Sequence, residues 1–157
     1  MKAVTHYLFS AGISLGLVSL SGSLDLGTTA FALWLSFSIN YLIDALGHTR
    51  RDGNPTRTWL THSLITAPAW GGSVALASLV SLTQASGSVL PGGTLVPWTA
   101  LGVLIAGQHL FLDSLTQAGV YSWRRRIALA HFRYDNVALN LCFSLLGALL
   151  IAAALGL

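Results

Sequence analysis

The hydrophobic positions of the 157-residue chain fall into five long runs that are separated by short polar connections. A helix needs about 20 consecutive apolar residues to cross a hydrocarbon core of about 30 Å, and each run is about that long. We therefore predict an all-α fold, a multi-pass bundle of about five transmembrane helices that forms a single integral membrane domain over residues 1–157. The predicted helices are 4–24, 28–47, 60–83, 95–118 and 136–157.

Composition supports a membrane protein and excludes most soluble classes. Apolar residues make up 54% of the chain and charged residues only 8%, with a mean hydropathy of +0.68. The first run lacks a cleavage-site pattern and is too long for a signal peptide, so we expect a retained helix. Cys142 is the only cysteine, which excludes an internal disulfide and a multi-thiolate metal site. Any metal must then be bound by His and Asp.

Small residues indicate how the helices pack. Pro68, Gly71 and Gly72 lie inside the third run, where we expect a kink and the close approach of a neighbouring helix. Gly12 and Gly16 are spaced for helix contact in the first run. These residues are interpreted as packing positions.

The cationic residues all fall on one predicted side of the membrane. They occur at the N-terminus and in the second and fourth connections, whereas the first and third connections contain none. By the positive-inside rule, the N-terminus is cytoplasmic, and we expect a multi-pass protein of the cell membrane. Because the cations do not follow one helical face, nucleic acid is not an expected partner. The cations are Lys2, Arg50, Arg51, Arg57, Arg124, Arg125, Arg126 and Arg133.

Histidines and aspartates gather at the same predicted face. Charged groups in or beside membrane helices are costly, so their placement needs a cause. The chain has five histidines and five acids, and all of the acids are Asp. On the predicted topology, four helices bring six of these residues to the cytoplasmic face. The six are His6, Asp44, His48, His62, His109 and Asp113.

Three His/Asp pairs have a spacing of four residues, which places both side chains on one helical face. The pairs are Asp44 with His48, His109 with Asp113, and His131 with Asp135. Imidazole and carboxylate together are a donor set for Zn²⁺, and Mn²⁺ or Fe²⁺ would also accept it. We therefore predict a divalent metal site, with zinc preferred. Its predicted ligands are His6, Asp44, His62, His109 and Asp113.

Other readings of these residues stay open. A His/Asp pair can be a hydrogen-bonded cap or a structural link between helices, and His48 can support a ligand instead of binding the metal. His131 and Asp135 are a possible second metal site, but Asp135 or Asn136 can equally cap the last helix. Arg57 can hold a phosphate or serve only as a topology signal.

The triple arginine run is the other candidate for binding anions. Arg124, Arg125 and Arg126 are expected to contact anionic headgroups, each charge contributing about 1 kcal/mol near such a surface. The same arginines can receive the phosphate of a substrate. The lipid bilayer is thus an expected partner of the chain.

At these residues the chain resembles the membrane-bound metal-dependent hydrolases of the YdjM-like family. The likeness spans most of the first 120 residues, and residues 124–140 are more similar to an archaeal uncharacterised branch. The order His, Asp, His, then His-x-x-x-Asp is also similar to part of the ligand set of zinc-dependent phospholipase C. That family's further His-x-x-x-Glu element is missing, because the chain contains no Glu. The matching motifs are Thr5-His6, Ile43-Asp44, Gly47-His48, Arg57, Thr61-His62-Ser63, residues 109–116 and Gly119.

These observations lead to a functional hypothesis with a rival. The chain is expected to hydrolyse phosphate esters, lipid-linked ones among them, at the cytoplasmic face. A bound metal would activate water, Asp44 or His48 would accept a proton, and the arginines would bind phosphate. The rival is a non-enzymatic subunit of a larger complex or homo-oligomer, with a structural metal or a polar His/Asp network. Metal transport is disfavoured because no matching polar residues line the midplane.

Overall fold

Five α-helices account for most of the residues that the structure describes, and they follow the five apolar runs of the sequence. The structure is a computed structural model that describes residues 1–51, 54–87, 94–123 and 125–157, with the backbone alone at residues 50, 51, 54 and 55. The predicted all-α class is confirmed. The helices are α1 (Ala3–Leu20), α2 (Leu26–Gly47), α3 (Thr66–Ser86), α4 (Leu95–Ser114) and α5 (Val137–Leu155).

Four of the helices, α1, α2, α4 and α5, are long and apolar enough to cross a membrane. The helix α3 is not one of them, because its 21 residues include four serines, two threonines and a glutamine. At 1.5 Å per residue it still spans about 32 Å, and it packs along α4 over much of that distance. The chain is a membrane protein in which the least apolar helix lies against another helix.

Glycine contacts bring the helix backbones together. Gly71 on α3 meets Gly102 on α4, and a Cβ added to either glycine would collide with the carbonyl of the other. Gly12 on α1 meets Gly147 on α5 in a similar way. The close approach predicted for Gly71 and Gly12 is confirmed, whereas Gly16 has open space beside it. Such contacts provide van der Waals attraction where lipid competes for apolar surface.

The structure corrects the predicted start of the third helix. Ser63 accepts a hydrogen bond from the Thr66 N–H at 3.0 Å, so α3 begins at Thr66 and not near residue 60. Pro68 consequently lies in the first helical turn, where a missing N–H breaks no hydrogen bond. The predicted kink at Pro68 therefore has no cause. His62 lies in the irregular segment before the helix instead of opening it.

Two short antiparallel hairpins were not predicted from the hydrophobic pattern. The first pairs β1 (His48–Arg51) with β2 (Asn54–Arg57), and the second pairs β3 (Val120–Ser122) with β4 (Arg125–Ile127). Both lie at one end of the bundle, called here the site end, where α2 and α4 finish and α1, α3 and α5 begin. The first hairpin sets His48 opposite Arg57.

Polar residues cap the N-terminal ends of α5 and α2. Asn136 accepts a hydrogen bond from the Leu139 N–H at 2.9 Å, which confirms it as a cap of the last helix. At the opposite end of the bundle, Asp25 and Thr28 form a reciprocal capping box on α2. Hydrogen bonds from Thr28 lower the pKa of the Asp25 carboxyl, so this only acid of the first connection is ionised at neutral pH.

Candidate metal centre

The six His and Asp side chains predicted to share one face gather at the site end, and they are called here the His/Asp cluster. They form two adjoining groups, and within each group one potential ligand atom per residue lies within 4.8 Å of the others. The first group is buried, whereas the second opens toward the surface through Asp44 and His48. The groups are His6, His109 and Asp113, and Asp44, His48 and His62.

Four donor atoms at the centre of the cluster face one another across a small gap. Asp113 Oδ2 lies 3.2 Å from His109 Nε2 and 3.5 Å from His62 Nε2. Asp44 Oδ1 lies 3.5 Å from His109 Nε2 and 3.7 Å from His62 Nε2. Two carboxylates from different helices thus alternate with two imidazoles, one from α4 and one from the segment before α3.

These separations suit atoms that bind one shared cation. With metal–ligand bonds of about 2.0–2.2 Å, neighbouring ligand atoms of a zinc ion lie about 3.3–3.6 Å apart, close to the four separations above. Three of the four atoms, His62 Nε2, His109 Nε2 and Asp113 Oδ2, are buried and have no hydrogen-bond partner in the described part of the chain. Buried polar atoms normally find a partner, and a shared cation would satisfy all three at once.

The tautomer of His109 follows from its neighbour on α2. Asn40 donates through its amide nitrogen to the Ser36 carbonyl at 2.6 Å and to the Ser10 hydroxyl at 3.1 Å, so its Oδ1 is the atom that faces His109. His109 Nδ1 must then donate to Asn40 Oδ1 across 2.8 Å. In the neutral ring, Nε2 then carries a lone pair that points at the carboxylates. Metal-binding histidines adopt the same arrangement, with one nitrogen hydrogen-bonded and the other on the metal.

His62 is oriented by the same kind of contact. The Thr61 hydroxyl donates its single hydrogen to the Ile43 carbonyl at 2.8 Å, so it accepts from His62 Nδ1 at 3.1 Å. Burial lowers the pKa of His62, which favours the neutral ring at pH 7. Gly47 makes room for this ring, because a Cβ there would collide with Thr61 and with His62.

The other oxygen of Asp113 is held by cationic and polar groups. Arg57 donates to Asp113 Oδ1 at 2.6 Å, and the amino nitrogen of Met1 lies 2.8 Å from the same atom. His6 Nε2 also approaches Oδ1, at 3.2 Å, and its ring stacks on His109 with centroids 4.1 Å apart. Because these contacts converge on Oδ1, Oδ2 is left free to face the two imidazoles.

The predicted ligands therefore have different positions. Asp44, His62, His109 and Asp113 supply the four central atoms, whereas His6 lies behind Asp113 and contacts its outer oxygen. His48 follows the last residue of α2, and its Nδ1 donates to the Asp44 carbonyl at 2.8 Å. In the neutral ring, Nε2 keeps its lone pair, and the side chain of His48 lines the cavity beside the cluster.

The side chain of Arg57 forms its hydrogen bonds within the protein. Besides Asp113, its guanidinium donates to the Gly119 carbonyl at 2.9 Å and to the Thr116 hydroxyl at 3.2 Å. These contacts tie the first hairpin to the end of α4. The structure thus makes Arg57 a partner of Asp113, and any contact with a phosphate would have to share the guanidinium with these groups.

A polar cavity of about 690 Å³ adjoins the open side of the cluster. Arg126 reaches it from β4 with an exposed side chain, whereas Arg125 is exposed without lining it. Arg124 lies outside the described residues. A cavity with arginine, tyrosine and histidine walls can accept an anionic group. Its lining is Met1, His48, Thr49, Thr56, Arg57, Ala118, Tyr121, Arg126 and Tyr134.

His131 and Asp135 are not brought together with a metal-binding group. They lie in an irregular segment before α5, where a spacing of four residues does not define a common face. Asp135 is instead paired with Arg133, which donates to its two oxygens at 3.1 and 3.0 Å. Neither residue belongs to the two groups described above.

Asn40 and Thr61 are functional candidates that the sequence reasoning did not identify. Asn40 had a usable signal, because it is an amide in an apolar run, one turn before Asp44. Thr61 is adjacent to His62, but its role depends on a hydrogen bond to Ile43, 18 residues earlier in the chain. Local spacing could not reveal that contact.

Comparison with known proteins gives a family but no activity. The model of a family described as a protein of unknown function, DUF1286, matches residues 1–112, which is 112 of the 157 residues. The matched range contains five members of the His/Asp cluster and ends one residue before Asp113. No curated protein and no solved structure matches the chain.

Proposed function

The chain belongs to the DUF1286 family of proteins of unknown function, and we propose from its site that it is a membrane-embedded, metal-dependent hydrolase of phosphate esters. One observation carries this proposal. The buried atoms His62 Nε2, His109 Nε2 and Asp113 Oδ2 converge without hydrogen-bond partners among the described residues, and Asp44 Oδ1 lies 3.7 and 3.5 Å from the two imidazole nitrogens. A divalent cation, with zinc preferred over manganese or iron, fits two imidazoles and two carboxylates.

The hydrogen bonds around the cluster orient two ring nitrogens for a cation. Asn40 and Thr61 accept from Nδ1–H of His109 and His62, so each ring, when neutral, aims the lone pair of Nε2 at the carboxylates. A lone pair and a carboxylate repel one another unless a metal ion or a proton lies between them. The ordered partners on Nδ1 are also the supporting contacts that raise the ligand strength of imidazole.

The residues around the cluster have the properties that hydrolysis requires. The metal, when bound, would supply Lewis acidity and lower the pKa of a coordinated water toward about 7. His48 lines the cavity at the open side and uses Nδ1 to bind the Asp44 carbonyl, and we assign its Nε2 as the group that accepts the proton of water. Asp44 would hold the metal on that side, and the exposed guanidinium of Arg126 would bind the phosphate.

The predicted environment of the protein is consistent with this activity. The four apolar helices support a position of the site end near one membrane surface, and the positive-inside pattern favours the cytoplasmic side of the cell membrane. Substrates can then reach the polar cavity from water or from the lipid surface. The resemblance to membrane-bound metal-dependent hydrolases points to the same class of reaction.

A non-enzymatic role is the second candidate, and one contact favours it. The Arg57–Asp113 ion pair links the first hairpin to α4, with 9% and 1% of the two side chains exposed. A protonated His109 could extend that network, so that the cluster would only join helix ends within a homo-oligomer or a larger complex. Metal content distinguishes this role from the catalytic one.

The test compares full-length wild type with Asp44→Asn, purified in detergent. Elemental mass spectrometry should find about one divalent metal per wild-type chain and much less in the variant, because Asn is a poor replacement for a ligand carboxylate. Hydrolysis of bis(4-nitrophenyl) phosphate should depend on that metal and fall at least about a hundredfold in the variant. Asp135→Asn is the matched control, since Asp135 lies outside the cluster.

Two results would contradict the proposal. Wild type that stays folded but cannot be loaded with zinc, manganese or iron would favour the structural network. Metal that is bound by wild type but is retained fully by Asp44→Asn would remove Asp44 from the ligand set. Loss of metal in Asp135→Asn would show that the measurement does not report on this site.

A further inference from the structure

A second cavity adjoins the polar one and differs from it in chemistry. Its volume is about 460 Å³, and it lies between the segment before α3 and the second hairpin. Tryptophan and isoleucine dominate its walls, whereas histidine and arginine line the polar cavity. The residues that line this apolar cavity are Trp59, Ser63, Ile65, Thr66, Tyr121 and Trp123.

Tyr121 is a wall of both cavities. Its backbone is held on both sides, because its N–H donates to the His62 carbonyl at 2.7 Å and its carbonyl accepts from the Leu64 N–H at 2.9 Å. Its hydroxyl donates to the Arg57 carbonyl at 3.3 Å. Tyr121 therefore separates the polar cavity, which His48 also lines, from an apolar space.

The apolar cavity is placed where hydrocarbon is available. Trp59 and Trp123 are 60% and 73% exposed although both lie outside the helices, and Ile65 beside them is 59% exposed. Such a concentration of exposed apolar side chains at the site end fits the membrane interface, where tryptophan is enriched. Trp123 also occupies a backbone φ of 57°, a conformation that bulky residues rarely adopt.

We propose that the apolar cavity binds the hydrocarbon chain of an amphiphilic phosphate ester whose phosphate lies in the polar cavity. This inference rests on the proposed function and specifies its substrate class: single esters or diesters of phosphate that carry a long alkyl or acyl chain. The shared Tyr121 sets the boundary between head and tail. The reacting phosphorus lies on the His48 side, and the chain leaves the site between Trp59 and Trp123.

The experiment uses two synthetic diesters with the same leaving group, methyl 4-nitrophenyl phosphate and dodecyl 4-nitrophenyl phosphate. In each, water adds to phosphorus, the bond to the aryl oxygen breaks and 4-nitrophenolate is released. Each fully buried methylene can strengthen binding up to about fourfold, so we expect kcat/KM of wild type to be at least about tenfold higher for the dodecyl ester.

Two tryptophan variants test whether the alkyl chain of the substrate occupies the apolar cavity. Trp123→Ala and Trp59→Ala should each lower kcat/KM for the dodecyl ester about tenfold more than for the methyl ester. Trp34→Ala is the matched control, because Trp34 is an exposed tryptophan of α2 outside the apolar cavity. Trp34→Ala should leave the ratio of kcat/KM for the dodecyl ester to kcat/KM for the methyl ester unchanged. Equal losses on both esters in Trp123→Ala and Trp59→Ala would overturn the tail site and leave the hydrolase proposal intact.

A binding measurement separates the two proposals if neither ester is hydrolysed. 12-Bromododecyl phosphate should quench tryptophan fluorescence of the wild type saturably, and the Trp59→Phe/Trp123→Phe variant should lose that saturable part. This outcome would support the tail site without any turnover. Quenching that is linear in the brominated lipid, or unchanged in the double variant, would show membrane partition alone and overturn the inference.

Discussion

Two His-x-x-x-Asp segments have the same spacing but lie in different surroundings. His109 and Asp113 lie on α4 and are buried, with His109 Nε2 3.2 Å from Asp113 Oδ2. His131 and Asp135 lie in an irregular segment, where His131 is exposed and Asp135 is paired with Arg133. A spacing of four brings side chains to one face only where the backbone is helical.

The difference shows why spacing alone does not define a metal site. Around His131, water can hydrogen-bond to any polar atom that the protein does not reach. Around His109, burial excludes water. A polar atom that has no partner in the protein therefore stays without a hydrogen bond, which is energetically costly. The surroundings of His109 and Asp113 therefore favour a bound cation, whereas those of His131 and Asp135 require none. Four substitutions test this contrast, from the largest expected effect to the smallest.

Asp113→Asn should have the largest effect. It removes the carboxylate from a buried ion pair with Arg57, and breaking such a pair by one partner costs about 3–5 kcal/mol. We expect a lower free energy of unfolding in detergent, followed by circular dichroism during denaturation, and loss of bound metal. Asp135→Asn makes the same chemical change in the exposed pair and should change neither. Equal destabilisation in both variants would remove the contrast.

Gly47→Ala should disturb the cluster through packing. The added methyl group would collide with Thr61 and with the ring of His62, and such overpacking costs about 1–3 kcal/mol. Bound zinc should fall as His62 is displaced. Gly16→Ala is the matched control on α1, where a Cβ meets nothing within 4 Å, and it should stabilise by about 0.5–1 kcal/mol. Full zinc binding by Gly47→Ala would show that His62 is dispensable.

Asn40→Leu should weaken the metal site without removing a ligand. It deletes the acceptor that orients His109, and loss of such a supporting contact typically lowers metal affinity about 10–100-fold. Competition with a chromophoric zinc chelator measures this change. The control is Asn140→Leu, which removes a buried amide that contacts Thr5 but no member of the cluster. If Asn140→Leu weakened zinc binding as much, the effect would be one of general packing.

His131→Ala should have the smallest effect. His131 is an exposed side chain outside both groups of potential ligands, and surface substitutions of this kind usually change stability by less than about 0.5 kcal/mol. Metal content by elemental mass spectrometry should match that of wild type. A lower metal content would indicate a second site at His131 after all, as its spacing from Asp135 first suggested.

Much of the fold could be predicted because it depends on local properties of the chain. The lengths of the apolar runs predict the five helices, and Asn136 predicts the start of α5. The errors occur where a longer-range contact decides a boundary. Segment 60–65 is apolar enough to continue a helix, but Ser63 binds the Thr66 N–H and pairs with Tyr121 instead. The two hairpins have no hydrophobic alternation to reveal them.

The sequence by itself determined that titratable residues of several helices meet at one end of the bundle. Successive helices run in opposite directions, so residues near the end of one and the start of the next must lie at the same level. Position along an apolar run was therefore enough to bring Asp44, His62 and His109 together. The order of the runs contains this information, and no side-chain geometry is needed.

Only the tertiary structure decided which atoms face one another. Arg57 occupies one oxygen of Asp113 and leaves the other for the imidazoles, while Asn40 selects the ring nitrogen that His109 presents. Each of these contacts joins residues more than 50 positions apart. Hydrogen bonds depend on distances of tenths of an ångström and on the direction of donor and acceptor. Hydropathy and spacing specify a face and a level, but such distances arise only when the helices and hairpins pack together.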